Sequence, residues 1–141
     1  MQYQQREIMS KLFMSSITIV GITIFSLSLF NLSTMPNSIL ILILFVVLLG
    51  VTEYYPFPAW KGYTTINFPL IYVMLLIYGL NLTIVVYSSV VLAVNLLHER
   101  PLRSILFNPA QLAISLYLTH SIVVNSFAMH ELTFSTSILN G

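Results

Sequence analysis

The sequence predicts an all-α fold, a polytopic membrane helical bundle of about five hydrophobic helices that includes a broken or re-entrant pair in the middle. Only 6% of the residues are charged and 57% are hydrophobic, whereas a soluble domain carries about 25% charged residues. No Asp, Glu, Lys, Arg or His lies within residues 12–52 or 62–97. Each of these stretches can supply at least one helix across ~30 Å of hydrocarbon. Their apolar residues are continuous rather than alternating, which favours helices over a membrane barrel.

The first two predicted spans are separated by a turn. Residues 12–30 form an apolar run, and "NLSTMPN" follows it with residues that are typical of turns. The run is long for the core of a signal peptide and no small-x-small cleavage site follows, so we expect a retained span. Residues 38–51 are nearly all Ile, Leu, Val and Phe and form a second, short span.

The segment "TEYYPFPAWKGYTTINF" connects the second span to the third apolar run. Tyr and Trp favour the membrane–water boundary, because each has an apolar body and a polar tip. Pro56 and Pro58 exclude a regular helix through this segment. We therefore expect an interfacial connector with Trp60 and Lys61 at the boundary.

Residues 66–97 are too long for one ordinary membrane helix. As a single helix they would extend about 48 Å at 1.5 Å per residue, which requires strong tilt. The motif "YGLN" offers a break at Gly79. We predict two shorter helices, 68–78 and 82–97, joined by a tight turn, with a single tilted helix as the alternative.

The distribution of basic residues favours the break. The last predicted span covers residues 109–128. The five basic residues are Arg6, Lys11, Lys61, Arg100 and Arg103. If basic loops stay in the cytoplasm, all five lie on the cytoplasmic side only when residues 66–97 form a hairpin. This predicts a multi-pass protein of the bacterial inner membrane with a cytoplasmic N-terminus. We expect one integral membrane domain over 1–141, and its outside C-terminus suggests that a sixth span is missing.

A polar stripe marks the last predicted span. On an ideal helix its members lie within about 80° of one another; they are Asn108, Gln111, Ser115, Thr119 and Ser126. One interpretation is structural: Asn108 caps a helix whose first residue is Pro109, Gln111 completes a capping box, and the hydroxyls pack between helices. The other interpretation is that the stripe lines a ligand site.

Glu53 is the acidic residue closest to a membrane boundary within the bundle. A carboxylate inside the membrane is a functional-site hypothesis by default. The alternative is a solvated side chain at the end of a short span, or one paired with Lys61. We predict no catalytic residue, no metal site and no cofactor, since the chain has no Cys and no phosphate loop or nucleophile elbow. The net charge of +1 gives no support for nucleic-acid binding.

Three segments resemble the N-terminal membrane region of bacterial HD-GYP and GGDEF cyclic-di-GMP signalling proteins. They are "TEYYPFP", "INFPLIYVMLLIYGLN" and "RPLRSILFNPAQLAISLYL". The residues that match the pattern of this family are Glu53, Pro56, Pro58, Gly79, Arg100, Pro101, Phe107, Asn108, Ala110 and Gln111. The catalytic residues of those enzymes are absent, so the resemblance implies no enzymatic activity. The broken helices are also loosely similar to the substrate-binding components of energy-coupling-factor vitamin transporters.

The resemblance implies a membrane-embedded sensor or ligand-binding module of a signalling protein. Its partners would be the lipid bilayer, a small apolar or amphipathic ligand, and a cytoplasmic effector domain or protein. The candidate ligand contacts are Asn108, Gln111, Ser115 and Glu53. The alternatives are the substrate-binding component of a vitamin-type transporter and a structural membrane protein without a ligand.

Overall fold

The fold consists of four α-helices and one short antiparallel hairpin in the described part of a computed structural model. The backbone is described for residues 2–32, 38–55, 57–59, 62–64 and 67–139, and the side chains for 4–32, 38–55 and 67–125. The elements are α1 (Gln2–Phe30), α2 (Ile39–Tyr54), β1 (Phe57–Ala59), β2 (Gly62–Thr64), α3 (Phe68–Leu97) and α4 (Leu102–Leu139).

Two of these helices are long and apolar enough to cross a membrane by length and composition: α1 from Gln4 to Phe30, and α3 when its length is counted through the interruption at Gly79. Helix α2 is a shorter apolar helix. The prediction of a helical chain with long apolar helices is confirmed. The number of about five helices is not confirmed: the described residues give four helical elements, of which α3 consists of two helical segments on either side of Gly79.

Helix α3 folds back on itself at Gly79. This glycine has φ 77° and ψ 178°, a conformation that is essentially restricted to glycine. The side-chain amide of Asn67 donates a 3.4 Å hydrogen bond to the hydroxyl of Tyr87. In a straight helix these residues would be about 30 Å apart, so the two halves must lie side by side. The predicted break is confirmed, and the single tilted helix is wrong.

The break lies at one end of the bundle, which we call the turn end and define by Asn31, Ser38 and Gly79. The Asn81 amide donates to the carbonyl of Asn31, just after α1. The Tyr78 hydroxyl donates to the carbonyl of Ser38, just before α2. The loop between α1 and α2 and the bend in α3 therefore meet at the same end.

The opposite end carries basic side chains, and we call it the basic end. Lys11 of α1 and Arg103 of α4 line one groove there, and Arg100 lies in the adjoining connection between α3 and α4. The 20 residues of helix between Lys11 and Asn31 extend about 30 Å, which matches the thickness of a hydrocarbon layer. Lys61 and Trp60, which were predicted to lie at a boundary, are outside the described residues.

The beginning of α4 differs from the prediction. The helix starts at Leu102 rather than at 109, because the backbone N–H groups of Ser104 and Ile105 already donate to the carbonyl of Pro101. Asn108 and Pro109 thus lie inside the helix, and the predicted cap and capping box are wrong. The Asn108 amide instead donates to the hydroxyl of Ser104, one turn earlier.

The other helix boundaries are also wider than predicted. Helix α1 begins at Gln2 rather than at 12, and α4 continues to Leu139 rather than ending at 128. Helix α2 continues past 51 through Tyr54, which places Glu53 on its last turn. The predictions followed the apolar runs of the sequence, whereas the helices continue beyond these runs into more polar residues.

The connector between α2 and α3 contains the hairpin β1–β2. Its register pairs Phe57 with Thr64 and Ala59 with Gly62. The absence of helix around Pro58 is confirmed, since a proline cannot donate to a helical hydrogen bond. The strands themselves were not predicted.

The core lies where α2 packs against the folded halves of α3. Its buried members are Phe45, Leu49, Met74, Tyr87, Val90 and Val91, with Leu112 and Leu116 of α4 packed against them. A second contact joins α1 to α4, where a Cβ atom at Gly21 would overlap the Cα, Cβ and O atoms of Ala110. In membrane bundles such small residues allow close helix approach.

Candidate functional site

A chain of three polar side chains crosses the packing between α2 and α3. Asn67, immediately before α3, donates from its amide nitrogen to the Tyr87 hydroxyl at 3.4 Å. That hydroxyl donates to Oε1 of Glu53 at 3.2 Å. The Tyr87 oxygen therefore uses its one donor and one of its acceptor positions, and it joins α2 to both halves of α3.

The location of each member follows from the local sequence. Glu53 lies on the last turn of α2, beyond the apolar run that packs in the core. Asn67 precedes Phe68 and Pro69, and proline in the first turn of a helix needs no N–H partner there. Tyr87 lies in the second half of α3, and the bend at Gly79 brings it back towards Asn67.

Two of the three residues in this hydrogen-bonded chain are almost fully buried. Asn67 is 2% exposed and Tyr87 is 4% exposed, while Glu53 is half-buried. A hydrogen bond to a charged group contributes roughly 1.5–3 kcal/mol, and leaving one buried partner unpaired costs a comparable amount. Removing any one of the three side chains would therefore leave a neighbouring polar group without its hydrogen bond.

One atom of these three hydrogen-bonded side chains has no hydrogen-bond partner in the described part of the protein. The side-chain oxygen of Asn67 is buried and accepts no hydrogen bond there. Most buried polar atoms are paired, so an unpaired one calls for an explanation such as a ligand or a water molecule. This acceptor could pair with a hydroxyl or an N–H group.

An apolar groove lies between α2 and the second half of α3, and none of Glu53, Asn67 and Tyr87 is among the residues that line it. It has a volume of about 440 Å³, and its walls are formed by Val47, Gly50 and Val51 on one side and by Val90 and Val94 on the other. A Cβ atom at Gly50 would meet nothing within 4 Å, so this glycine leaves the groove open.

Aromatic rings lie at the end of this groove that is nearer the basic end. Tyr54, which lines the groove, has its ring centroid 4.7 Å from that of His98 and 4.9 Å from that of Tyr55. His98 also contacts the carbonyl of Val94 through its ring at 2.9 Å. The groove thus has an apolar body and a more polar mouth.

The structure separates the predicted ligand contacts into two places. Glu53 belongs to the polar chain, whereas Asn108, Gln111 and Ser115 lie on α4, whose backbone does not approach α2 in the described part. Asn108 is half-buried, but Gln111 and Ser115 are exposed. Gln111 and Ser115 therefore face outward, and the expectation that the stripe packs against other helices of this chain is wrong for these two residues.

Sequence reasoning did not single out Asn67, Tyr87 or Gly50. Tyr87 is one of eight tyrosines and Gly50 is one of five glycines, with no pattern that distinguishes them. Asn67 carried a usable signal, because it is an amide directly before a long apolar run that starts with Phe-Pro. Among the described residues, no group of three or more His, Cys, Asp or Glu side chains could hold a metal ion.

Comparison with protein-family models, curated proteins and solved structures gives no significant match.

Proposed function

We propose that this chain is a multi-pass protein of the bacterial cell membrane that acts as a sensor-type ligand-binding module without catalytic residues. The low charge content and the two long apolar helices support membrane insertion. The shared position of Lys11 and Arg103 supports an arrangement in which the basic end and the N-terminus face the cytoplasm.

The ligand in this proposal is a small apolar or amphipathic molecule in the groove between α2 and α3. Two observations carry it: an open apolar groove lies between α2 and α3, and the hydrogen-bonded chain that joins the same two helices contains an Asn67 side-chain oxygen that accepts no hydrogen bond within the described residues. The apolar walls bury the hydrocarbon part of such a molecule. A hydroxyl or N–H group on the ligand would pair with the polar chain, which sets its orientation.

The proposed mechanism is a shift between two packings of α2 against α3. Tyr87 links Glu53 on α2 to Asn67 at the start of α3, so a ligand that enters this link changes how the three segments pack. A ligand that binds one packing better than the other shifts the population towards it. The shift would reach a cytoplasmic effector domain or protein at the basic end, as the resemblance to cyclic-di-GMP signalling proteins implies.

The first experiment maps where an amphipathic probe binds. The full chain is reconstituted in neutral phospholipid nanodiscs and exposed to a photoreactive medium-chain alkanol, which combines an apolar chain with one hydroxyl. Adducts are located by peptide mass spectrometry. We expect them on residues 46–55 and 90–97, with saturable labelling.

Gly50 allows this site to be blocked without a steric clash. Gly50→Leu extends a side chain into the groove from a position where the Cβ atom meets nothing within 4 Å, so labelling should be lost while thermal stability is retained. Gly50→Ala is the matched control and should retain most of the labelling. Unchanged labelling in Gly50→Leu would contradict the groove assignment. Labelling that is lost only in Asn108→Ala/Gln111→Ala would place the ligand at the outward stripe of α4.

A further inference from the structure

Helices α1 and α4 enclose a second groove at the basic end. They approach most closely at Gly21 and Ala110 and leave a groove of about 340 Å³ between that crossing and the basic end. Lys11 from α1 and Arg103 from α4 line it. The groove is distinct from the one between α2 and α3, since neither of those helices contributes to its lining.

The two cationic side chains of this groove lie at the basic end, and most of its apolar side chains lie further towards the crossing. Lys11 and Arg103 are exposed and lie nearest the basic end, whereas Met14, Ile19 and Leu106 line it further along their helices, towards the crossing. Leu102 lies next to Arg103 at the basic end, and Ser15 and Thr18 add hydroxyl groups among the apolar residues of α1. Along α1, the step from Lys11 to Ile19 corresponds to about 12 Å. This is the polarity profile of a phospholipid that lies with its headgroup at the membrane surface.

The cationic charge of the groove is only partly compensated. The Lys11 ammonium lies 2.6 Å from Oε1 of Glu7, and both side chains are about half exposed. An exposed ion pair between residues four apart on a helix is weak and is screened by salt, so it does not prevent Lys11 from binding another anion. Arg103 forms no ion pair within the described residues.

We propose that this groove binds an anionic phospholipid. Arg103 and Lys11 bind the phosphate headgroup, and an acyl chain lies along Met14, Ile19 and Leu106. Basic pockets between membrane helices on the cytoplasmic side are suited to such headgroups. The inference rests on the proposed membrane placement. Because the lipid would separate α1 from α4 next to their closest contact, the anionic content of the membrane would bias how these helices pack.

The test measures lipid retention by the full chain in native mass spectrometry. Detergent-solubilised protein is titrated with phosphatidylglycerol, with phosphatidylcholine and with inorganic phosphate. We expect stable adducts with phosphatidylglycerol, weak adducts with phosphatidylcholine, and no displacement by phosphate alone. The variant Lys11→Gln/Arg103→Gln should weaken phosphatidylglycerol binding by roughly tenfold or more, since each basic group near an anionic headgroup contributes appreciably.

A charge-matched control distinguishes binding in this groove from non-specific attraction between anionic lipid and the basic residues of the protein. Arg6→Gln/Arg100→Gln removes the same number of cations from exposed positions outside the groove and should leave the binding within about twofold of wild type. Equal losses in both double variants would overturn the site. Equal affinity for the two lipids in the wild type would overturn the choice of an anionic headgroup, and displacement by inorganic phosphate would reduce the site to a free-anion site.

A second pair of variants tests the apolar part of the groove without changing charge. Ser15→Phe places a ring in the groove, whereas Ser16→Phe places it about 100° further round the same helix, outside the lining. Both serines are exposed, so both variants should fold. We expect only Ser15→Phe to lose the lipid, and equal binding in both would overturn the acyl-chain assignment. Membrane insertion is measured separately, by labelling single cysteines introduced at the two ends of the bundle. A protein that inserts as proposed but fails the lipid test therefore contradicts only the lipid-binding inference.

Discussion

Replacing Gly21 by alanine should separate α1 from α4. A Cβ atom at this position would overlap the Cα, Cβ and O atoms of Ala110, and two of these belong to the backbone, so no side-chain rotation can relieve the overlap. Forcing an extra methyl group into a packed contact costs about 1–3 kcal/mol. The new alanine also gains up to about 1 kcal/mol of helix propensity over glycine, which offsets part of this cost.

Gly50→Ala is the control that isolates the helix contact. It makes the same replacement in an apolar helix, but its Cβ atom meets nothing within 4 Å, so it reports the propensity gain alone. The difference between the two variants should therefore be about 1–3 kcal/mol of unfolding free energy, or roughly 3–10 °C in Tm for a chain of this size.

The assay is thermal unfolding of both variants in the same detergent, followed by circular dichroism. The double variant Gly21→Ala/Ala110→Gly should recover only part of the loss, because removing the Ala110 methyl group leaves its Cα and O atoms in place. A Gly21→Ala protein that is as stable as Gly50→Ala would refute the close packing of α1 on α4.

Three further variants test other parts of the fold by the same thermal assay. Tyr87→Phe removes the hydroxyl that is bonded to both Asn67 and Glu53, and it should lower the free energy of unfolding by about 1–3 kcal/mol. Tyr78→Phe removes one half-exposed hydrogen bond and should lower it by about 0.5–1.5 kcal/mol. Equal losses in the two variants would argue against the buried hydrogen-bonded chain. Gly79→Ala imposes a Cβ atom on a glycine-only conformation and should cost about 1–3 kcal/mol, and an unchanged Tm would contradict the bend. Gln111→Leu changes an exposed side chain and should alter stability by less than about 0.5 kcal/mol, whereas a larger loss would show that the stripe is packed.

The bend in α3 could be predicted because two independent signals agreed. The length of residues 66–97 exceeded one bilayer crossing, and the basic residues shared one side only if the chain reversed near Gly79. Both signals can be read from the sequence without knowledge of tertiary contacts, since they are the length of one apolar run and the positions of the basic residues. Helix α2 contains the continuous apolar run 39–51 and continues beyond it to Tyr54.

The polar chain could not be predicted, because it depends on contacts across 34 and 20 residues of sequence. No local pattern indicates that Tyr87 rather than a neighbouring residue faces Glu53 once the hairpin has closed. The role of Gly21 was missed for the same reason, since its partner Ala110 lies on another helix.

The error at Asn108 and Pro109 has a different origin. The prediction took Asn108-Pro109 as the start of the last helix, although Pro101 also lies next to a polar residue at an earlier position. The helix starts at the earlier one and accommodates the second proline inside. A proline inside a helix leaves the carbonyl four residues earlier, here that of Ile105, without its helical donor. The Ser88 hydroxyl donates to the carbonyl of Pro109 itself, which ties α3 to α4 at this position.

The central claim is that the chain lies in a membrane with its basic end on one side and its turn end on the other. Since the sequence contains no cysteine, single cysteines can be placed at Gln5 and Leu102 for the basic end and at Leu32 and Leu80 for the turn end. They are labelled with a membrane-impermeant maleimide in intact bacterial cells and again after permeabilisation. We predict that positions 32 and 80 react in intact cells and that positions 5 and 102 react only after permeabilisation. Reaction of 5 and 102 from opposite sides of the membrane would contradict the hairpin, and with it the arrangement of both grooves.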